Sequence, residues 1–405
     1  MESKYFIKTC ALIATEGSSL SDDFEISGGN PNITYYESVK SPSISVSIDF
    51  IDVDGVISRE GITGGEYLDL KIKVPDFDDF EITPDKHFMM LNSVKNVKTS
   101  SNKQIATLEF VSVEAIINET ARVSRRFTGN VSQIVKELMK DKKSIQTSKN
   151  LETDESFNKY SFVGNLKRPF DTIQWLCPKA ASTDKECGFL FYENLDGYFF
   201  KSIKGLLDAD SSETYEKPEA PVDTDIKITE NNLDSSNDIG MNCRMGMYAN
   251  KTIYVDIENG KIETVDYKIS DLNLAKPPKL PAGLEDVPTR LMLRILDAGA
   301  LQKGSKKEEV EKRSELAVYQ NKSYARTNLL FSQSLSISTP FNPDLRVGQM
   351  IDVVLPVKEG SDQSQTTGGG ENDISGKYLL SELKHSIANG KSNSELKLIR
   401  DVFTA

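Results

Sequence analysis

Hydrophobicity of period two at both ends of the chain restricts its fold more than any other feature. Residues 43–50 read S-I-S-V-S-I-D-F. Ile44, Val46, Ile48 and Phe50 fall on one side of an extended chain, and Ser43, Ser45, Ser47 and Asp49 on the other. Leu68, Leu70, Ile72 and Val74 alternate with Asp69, Lys71 and Lys73, and Ala106, Leu108 and Phe110 repeat the device. Strands of this kind cover a core with one face and meet water with the other, as antiparallel sheets do. Asp54-Gly55 and Gly64-Gly65 supply turn residues. Near the C-terminus, Leu345, Val347, Ile351 and Val353 keep strand spacing around Gly348, which marks a turn. G-K-Y-L-L-S-E-L-K-H-S-I, carrying His385, and S-E-L-K-L-I-R then close the chain as strands. Strands in series without a catalytic motif read as a scaffold.

The middle of the chain changes period. Val131, Ile134, Val135 and Leu138 recur at helical spacing after a capping Asn130. A second helix is predicted from Pro169 or Phe170 through Trp175, since proline suits a first helical turn. G-F-L-F-Y-E-N-L-D-G-Y-F-F-K-S reads as a hairpin turned at Asp196-Gly197. Residues 208–238 are acidic, with prolines and many Ser and Asn, and read as a linker. T-I-Y-V-D and a turn at Glu258-Asn259-Gly260 return to strand, and Pro277, Pro278 and Pro281 break the chain. Residues 307–328 read as helix, and 360–376 as a polar loop whose length hints at a contact role.

At 405 residues the chain holds two to four domains of roughly 100–200 residues each. The predicted fold class is α+β, mainly β: two tube-like antiparallel β-barrel domains, an α/β domain and a helical insertion. Residues 1–115 form the first barrel and 116–220 the α/β domain. Residues 221–270 join 329–405 in a discontinuous second barrel, with 271–328 as the insertion. No strong sequence repeat links the two β portions, yet their similar sizes allow a shared fold.

Acidic residues outnumber basic ones by 61 to 49, for a net charge of −12. That balance argues against a phosphate-backbone binder and against anchoring to an anionic membrane. It suits a surface that nucleic acid must pass without sticking. The N-terminus lacks a signal peptide's basic start and long apolar core, and no run of eighteen apolar residues exists. Synthesis and assembly in the cytoplasm are therefore expected.

The chemistry-bearing residues fall short of a catalytic or metal motif. With Gly55 at position six of a calcium loop, position one is Phe50 and position twelve is Gly61, so the pattern fails and a hairpin turn remains. Asp76, Asp78, Asp79 and Glu81 form an acidic run that reads as an Asp-rich turn, with carboxylate hydrolysis as the sharper alternative. His87 and His385 are the only histidines, and there is no G-x-S-x-G or H-E-x-x-H. Cys10, Cys177, Cys187 and Cys243 show no C-x-x-C spacing and read as reduced thiols. The expectation is no catalytic residue, no cofactor and no metal.

Several segments together resemble the baseplate hub subunit of T-even-type contractile-tailed phages and their cyanophage relatives. They are S-I-S-V-S-I-D-F-I-D-V-D-G-V-I-S with I-T-G-G-E-Y-L-D-L; L-E-F-V-S-V-E-A-I-I-N-E; and F-V-G-N-L-K-R-P-F-D-T-I-Q-W-L with G-F-L-F-Y-E-N-L-D-G-Y. Y-A-N-K-T-I-Y-V-D and F-N-P-D-L-R-V-G complete the series. On this resemblance Gly55, Gly64, Gly65, Arg168, Pro169, Phe170, Leu345, Val347, Gly348, Ile351, Val353 and His385 carry structure rather than chemistry. The resemblance, which extends to the hub part of type VI secretion spikes, implies a homotrimer whose six barrels form a pseudo-sixfold ring. That ring joins a tail tube or tube-initiator protein to a central spike protein, with the tape-measure protein and wedge proteins as further partners. Genomic DNA would pass through the channel unbound, and the chain would reside in the virion's tail baseplate. The segments 276–288 and 360–376 depart from the family pattern. A tail-tip receptor or polysaccharide-binding β module is the alternative reading.

Overall fold

The computed structural model describes residues 5–29, 31–53, 55–75, 77–100, 103–218, 227–235, 238–257, 260–271, 287–295, 307–356, 374–388 and 390–401. The N-terminal portion holds β1 (Phe6–Ile13), β2 (Phe24–Glu25), β3 (Asn32–Ser38), β4 (Ser45–Asp52), helix α1 (Val56–Glu60), β5 (Tyr67–Lys73), β6 (Phe80–Ile82), β7 (Met89–Ser100) and β8 (Lys103–Ser112). A mixed portion follows, with α2 (Val113–Thr120), β9 (Arg126–Asn130), α3 (Val131–Lys140), β10 (Leu151–Thr153), β11 (Lys159–Val163), α4 (Pro169–Leu176), β12 (Phe189–Asn194), β13 (Gly197–Ser202) and α5 (Ile203–Leu207). Then come β14 (Ser211–Glu216), β15 (Glu230–Ser235), α6 (Ile239–Met245), β16 (Ala249–Asp256), β17 (Lys261–Lys268), β18 (Arg290–Ile295) and α7 (Lys307–Leu330). β19 (Gln333–Pro340), β20 (Met350–Val354), β21 (Gly376–Ala388) and β22 (Lys391–Arg400) finish the chain.

The chain is mainly β, as its alternation predicts. Fourteen strands form one sheet whose main path is β15-β19-β22-β21-β3-β4-β8-β7-β5-β1-β2. The N- and C-terminal portions are thus continuous, joined where β21 pairs antiparallel with β3. Among the described residues this path stays open, so the closed barrels expected from the sequence are not formed by its hydrogen bonds. Strands β16, β17 and β18 form a separate sheet rather than joining the C-terminal strands. Residues 208–238 are not only a linker. β14 pairs with β20 and β15 with β19, because Tyr215 is buried while their many polar residues stay on the wet side.

The sheet contains the same unit twice. The first runs β3-β4-β8-β7 and the second β15-β19-β22-β21, each antiparallel throughout and in matching chain order. Both end in a long hairpin with a bulge at one equivalent place: Leu91 to Ser93 opposite Phe110 and Glu109, and Leu380 to Glu382 opposite Leu398 and Lys397. A further strand then meets each hairpin, with Tyr67 beside Met90 and Met350 beside Leu379. The preceding glycine N–H donates to the same carbonyl in each unit, Gly65 to Leu91 (3.0 Å) and Gly348 to Leu380 (2.9 Å). Gly65 and Gly348 both have positive φ, 103° and 90°. The two glycines singled out in the sequence are therefore the same turn in two copies of one motif.

Cores lie beneath both units and the mixed portion. Tyr35, Val46, Ile48, Leu70, Leu108 and Phe110 fill the first, and Phe341 and Ile387 enter it from the C-terminal portion. Leu335, Ile337, Leu345, Val347, Ile351 and Val353 fill the second. Each such side chain contributes on the order of 1.5–3 kcal/mol when fully buried. In the mixed portion α3 turns Val131, Ile134 and Leu138 inward against Phe170 and Ile173 of α4. Pro169 opens α4 as predicted, and the Phe170 N–H donates to Asn118 Oδ1 (2.9 Å). The expected hairpin turn after β4 is instead α1, because the Asp52 carboxylate accepts from Val56 and Ile57 N–H (3.0 and 2.9 Å). Asp54, Asp76, the Glu258-Asn259 turn, the 277–281 prolines and nearly all of 360–376 lie outside the described residues.

A Cβ on Gly348 would sit 2.1 Å from the hydroxyl of buried Tyr192. Gly348→Ala is expected to cost at least about 2 kcal/mol, from strain at positive φ plus overpacking. Gly55 has φ +63° and open space around it, so Gly55→Ala is expected to cost about 1–2 kcal/mol. Urea denaturation of both variants checks the difference; equal costs would show that the Tyr192 contact constrains nothing.

Candidate functional site

Two features stand out, a buried polar joint and a polar sheet face. The joint is built on the β12–β13 hairpin, whose Phe189, Phe191, Tyr198 and Phe200 fill the core of the mixed portion while Leu195 enters the first unit's core and Tyr192 the second's. Its tip brings backbone N–H groups to places where no strand can pair with them. In β3 the alternation Ile33, Tyr35, Glu37 points a carboxylate at that tip, and Glu37 is fully buried. Glu37 accepts from the Tyr35 hydroxyl, from Leu195 N–H (2.8 Å) and from Val347 N–H (3.0 Å). One side chain thereby joins the first β unit, the hairpin tip and the C-terminal segment. Burial pushes its carboxyl up from 4.5 to about 7, while Arg346 and the three donors pull the other way.

A second node lies one residue before the hairpin's Asn194. Buried Glu193 accepts from Ile44 N–H (3.0 Å), the Ser112 hydroxyl (2.6 Å) and Lys149 Nζ (2.7 Å). Lys149 also reaches Glu114 of α2 at 2.9 Å. Burial lowers the Lys149 pKa, but the two carboxylates outweigh it and hold the ammonium above its ordinary value. The triad is a fully enclosed ion cluster, with Lys149 and both acids less than a tenth exposed.

His385 is a core residue. Its Nδ1 lies 2.9 Å from the Ser394 hydroxyl, and its ring packs against Tyr35, Phe80 and Phe341. Burial depresses its pKa to about 3, and Arg346 adds to the effect. His385 sits directly opposite Tyr35 across the β3–β21 seam, so both join the floor beneath Glu37. Leu345, Val347, Ile351 and Val353 are buried nearby, with Gly348 under Tyr192. Gly55, Gly64 and Gly65 lie apart in turns of the first unit, and Arg168 pairs with Glu119 (2.9 Å) on the far side of the mixed portion. Asp79 is held ionised by Lys8 and Lys71, at 2.6 and 3.6 Å, an arrangement suited to a surface ion pair rather than to proton transfer. Cys10, Cys177 and Cys187 are free and buried, with burial pushing each thiol up to about 12. Among the described residues no cluster of three His, Cys, Asp or Glu could hold a metal ion.

The second feature is the wet face of the shared sheet. Cross-strand rows run over both units without a break at the seam. One row passes through Asn393, Ser386, Thr34, Ser47, Glu109 and Ser93, and its neighbour through Glu230, Ser338, Glu395, Lys384, Tyr36 and Ser45. Charges on it largely cancel in pairs, Lys384 with Glu395 (3.2 Å), Lys397 with Glu382 (3.7 Å) and Lys95 with Glu109 (2.5 Å). Hydroxyls and amides cover part of the remainder, and exposed Ile51 and Ile105 meet on it across β4 and β8. A cleft of about 510 Å³ lies on this face between Tyr36, Asn232, Ser336 and Lys397.

The fold is shared with solved tail proteins over nearly its whole length. A tail protein of Neisseria meningitidis MC58 superposes with a TM-score of 0.54 at 9% identity, covering 99% of this chain and 98% of that one. The 43 kDa tail protein of prophage MuSo2 from Shewanella oneidensis gives 0.51 at 9% identity, covering 98% and 99%. At such identities the similarity establishes the fold alone. No family profile matches the sequence, and no curated protein does.

Removing the ammonium from the enclosed triad leaves two buried carboxylates uncompensated. Lys149→Met is expected to cost about 3–5 kcal/mol, and adding Glu114→Gln with Glu193→Gln should recover much of it. Denaturant midpoints of the single and triple variants check this. The raised Glu37 pKa has a definite sign. The folded state holds its proton more tightly, so the stabilisation is complete below pH 4.5 and is lost as pH rises through about 7. Glu37→Gln should therefore gain about 3 kcal/mol relative to the parent chain over that interval. Parallel stability curves for the two proteins would refute this.

Proposed function

We propose that this chain is a structural phage-tail protein, a homotrimeric baseplate hub without catalytic chemistry of its own. The observation that carries the reading is the repeated four-strand unit. Two copies of one unit follow each other in the same direction along a single sheet, so three chains supply six like units. Such a ring meets a sixfold tail tube on one side and a threefold spike on the other. The fold shared with two tail proteins supports the same reading. The partners are then a central spike protein, tail-tube or tube-initiator proteins, and the tape-measure protein, with wedge proteins at the periphery.

The continuous, mostly polar face, interrupted at Ile51 and Ile105, is the channel wall in this reading. Its charges are paired and its hydroxyls abundant, so it offers passing nucleic acid no field of free lysines to hold phosphates. Three copies carry three times −12, or −36, and this charge keeps the assembly as a whole repulsive to DNA. On this reading the chain belongs to the tail baseplate of the virion.

The purified protein is expected to have the mass of three chains and to image as a threefold particle with a central hole. A particle without a hole overturns the reading. Replacing Ser47 and Ser386 by lysine should turn the wall into a phosphate binder. DNA retention by the variant particle, falling steeply with salt, is the expected outcome; unchanged behaviour would place these residues away from the channel.

A further inference from the structure

The repeated unit also specifies how one copy meets the next. Inside the chain, the hairpin strand β21 carries two neighbours on its outer edge. β20 pairs with its first part, at Tyr378 and Leu379, and β3 with its second, from Glu382 to Ile387. The equivalent strand β7 carries only the first of these. β5 meets it at Met90, and from Ser93 onward its outer edge has no strand partner among the described residues. At the other end of the sheet β15, the equivalent of β3, is paired among the described residues with β19 alone. The chain therefore displays one half of its own internal seam at each end.

We infer that the free edge of β7 binds β15 of a second copy of this chain, in the register that β21 uses for β3. This rests on the hub reading and deepens it. Within the chain Ser386 faces Thr34 and His385 faces Tyr35. Counting from the matching bulges and from the rungs opposite Ile105 and Thr107, Lys98 takes the place of Ser386 and Lys95 that of Lys384. On the other strand, Asn232 pairs with Ser336 as Thr34 pairs with Ser47, and Leu233 with Leu335 as Tyr35 with Val46. Lys98 thus faces Asn232 of the second copy, and the Asn96–Val97 bulge faces its Leu233.

Charge and polarity fit that register. The β7 edge presents exposed Lys98, beside a Lys95 already paired with Glu109, and the β15 edge presents exposed Glu230 and Asp234. Val97 is 45% exposed, and Leu233 is half-buried on a strand otherwise open to solvent. Each covers the other's apolar surface when the edges meet. The outer edge of β7 from Ser93 to Ser100, without a strand partner among the described residues, is a pairing template that proteins ordinarily cover. The contact is heterologous, because two different edges meet, and it closes into a ring only if the rotation is right. The internal seam supplies that rotation. If it turns one unit by a sixth of a circle, three copies close with three internal and three external seams.

The test is a disulfide across the external seam, in a Cys243→Ser background. Directly opposed residues in an antiparallel pair lie about 4.5–5.5 Å apart, within disulfide reach. Chains carrying both Lys98→Cys and Asn232→Cys should oxidise to covalently closed trimers. A mixture of the two single variants should stop at heterodimers. Lys98→Cys paired with Leu233→Cys puts the thiols on opposite faces and should cross-link at least about tenfold less. Trimers that form but do not cross-link overturn the seam and leave the hub reading standing. A chain that stays monomeric in every variant and in the parent overturns both. Equal cross-linking by both pairs overturns the register.

Discussion

Antiparallel pairing between β3 and β21 is the joint on which the rest of the molecule depends. It links residues 33–38 to residues 382–387, almost the whole length of the chain. Without it each β unit would end in a free edge and neither wet face would continue into the other. The pairing also sets Tyr35 above His385 and aims Glu37 at the hairpin tip. Closing so long a loop costs only modestly more entropy than closing a shorter one. The seam's long sequence separation does make it a slow contact to form compared with the local β7–β8 and β21–β22 hairpins, on topology alone.

The buried carboxylates follow from that joint. The hairpin tip and the turn before β20 expose backbone donors, Leu195 and Val347 N–H, that cannot join a ladder. Ile44 N–H is in the same position at the start of β4. An apolar residue at Glu37 or Glu193 would leave these groups unsatisfied, at about 1–3 kcal/mol each. A carboxylate accepts from several directions at once, so one side chain satisfies donors from three parts of the chain. The cost is desolvation, visible in the raised pKa of Glu37 and in the need for Lys149 beside Glu193.

Local structure was legible in the sequence wherever period and capping agreed. The strand at 43–50, α3 after Asn130, α4 from Pro169 and the Asp196-Gly197 hairpin all follow from residues within one turn or one pleat. The joint was harder to read, because charge is ordinarily a surface signal. Its trace is present nonetheless: Glu37 shares the face of Ile33 and Tyr35, and Glu193 interrupts an apolar run. The repeat was also hidden. I-T-G-G-E-Y-L-D-L at 62–70 and L-R-V-G-Q-M-I-D-V at 345–353 share only Gly65 with Gly348 and Asp69 with Asp352. Pleated surfaces accept any aliphatic residue at a buried position, so pairing geometry persists after identity has gone. Alternation and the family resemblance both group 249–268 with the last strands, yet these strands form their own sheet, because alternation carries no information about which sheet a strand joins.

The two units differ most where their surroundings must differ. β5 is flanked by antiparallel β1, whereas its equivalent β20 is flanked by parallel β14. The chain enters the first unit from its N-terminus and the second through α5, from the opposite end, which reverses the flanking strand. The face carried by both units is mostly polar, with small hydroxyl residues and paired charges, apart from Ile51 and Ile105 in the first unit. The largest topological difference thus lies at the flanks, with a smaller one at the Asn96–Val97 bulge of β7. Under the proposed hub reading, that division would let a ring interior look sixfold to a moving polymer while its exterior met partners of different symmetry. Identical flanks would, on the same reading, offer a threefold spike six equal docking places and no means of choosing three of them.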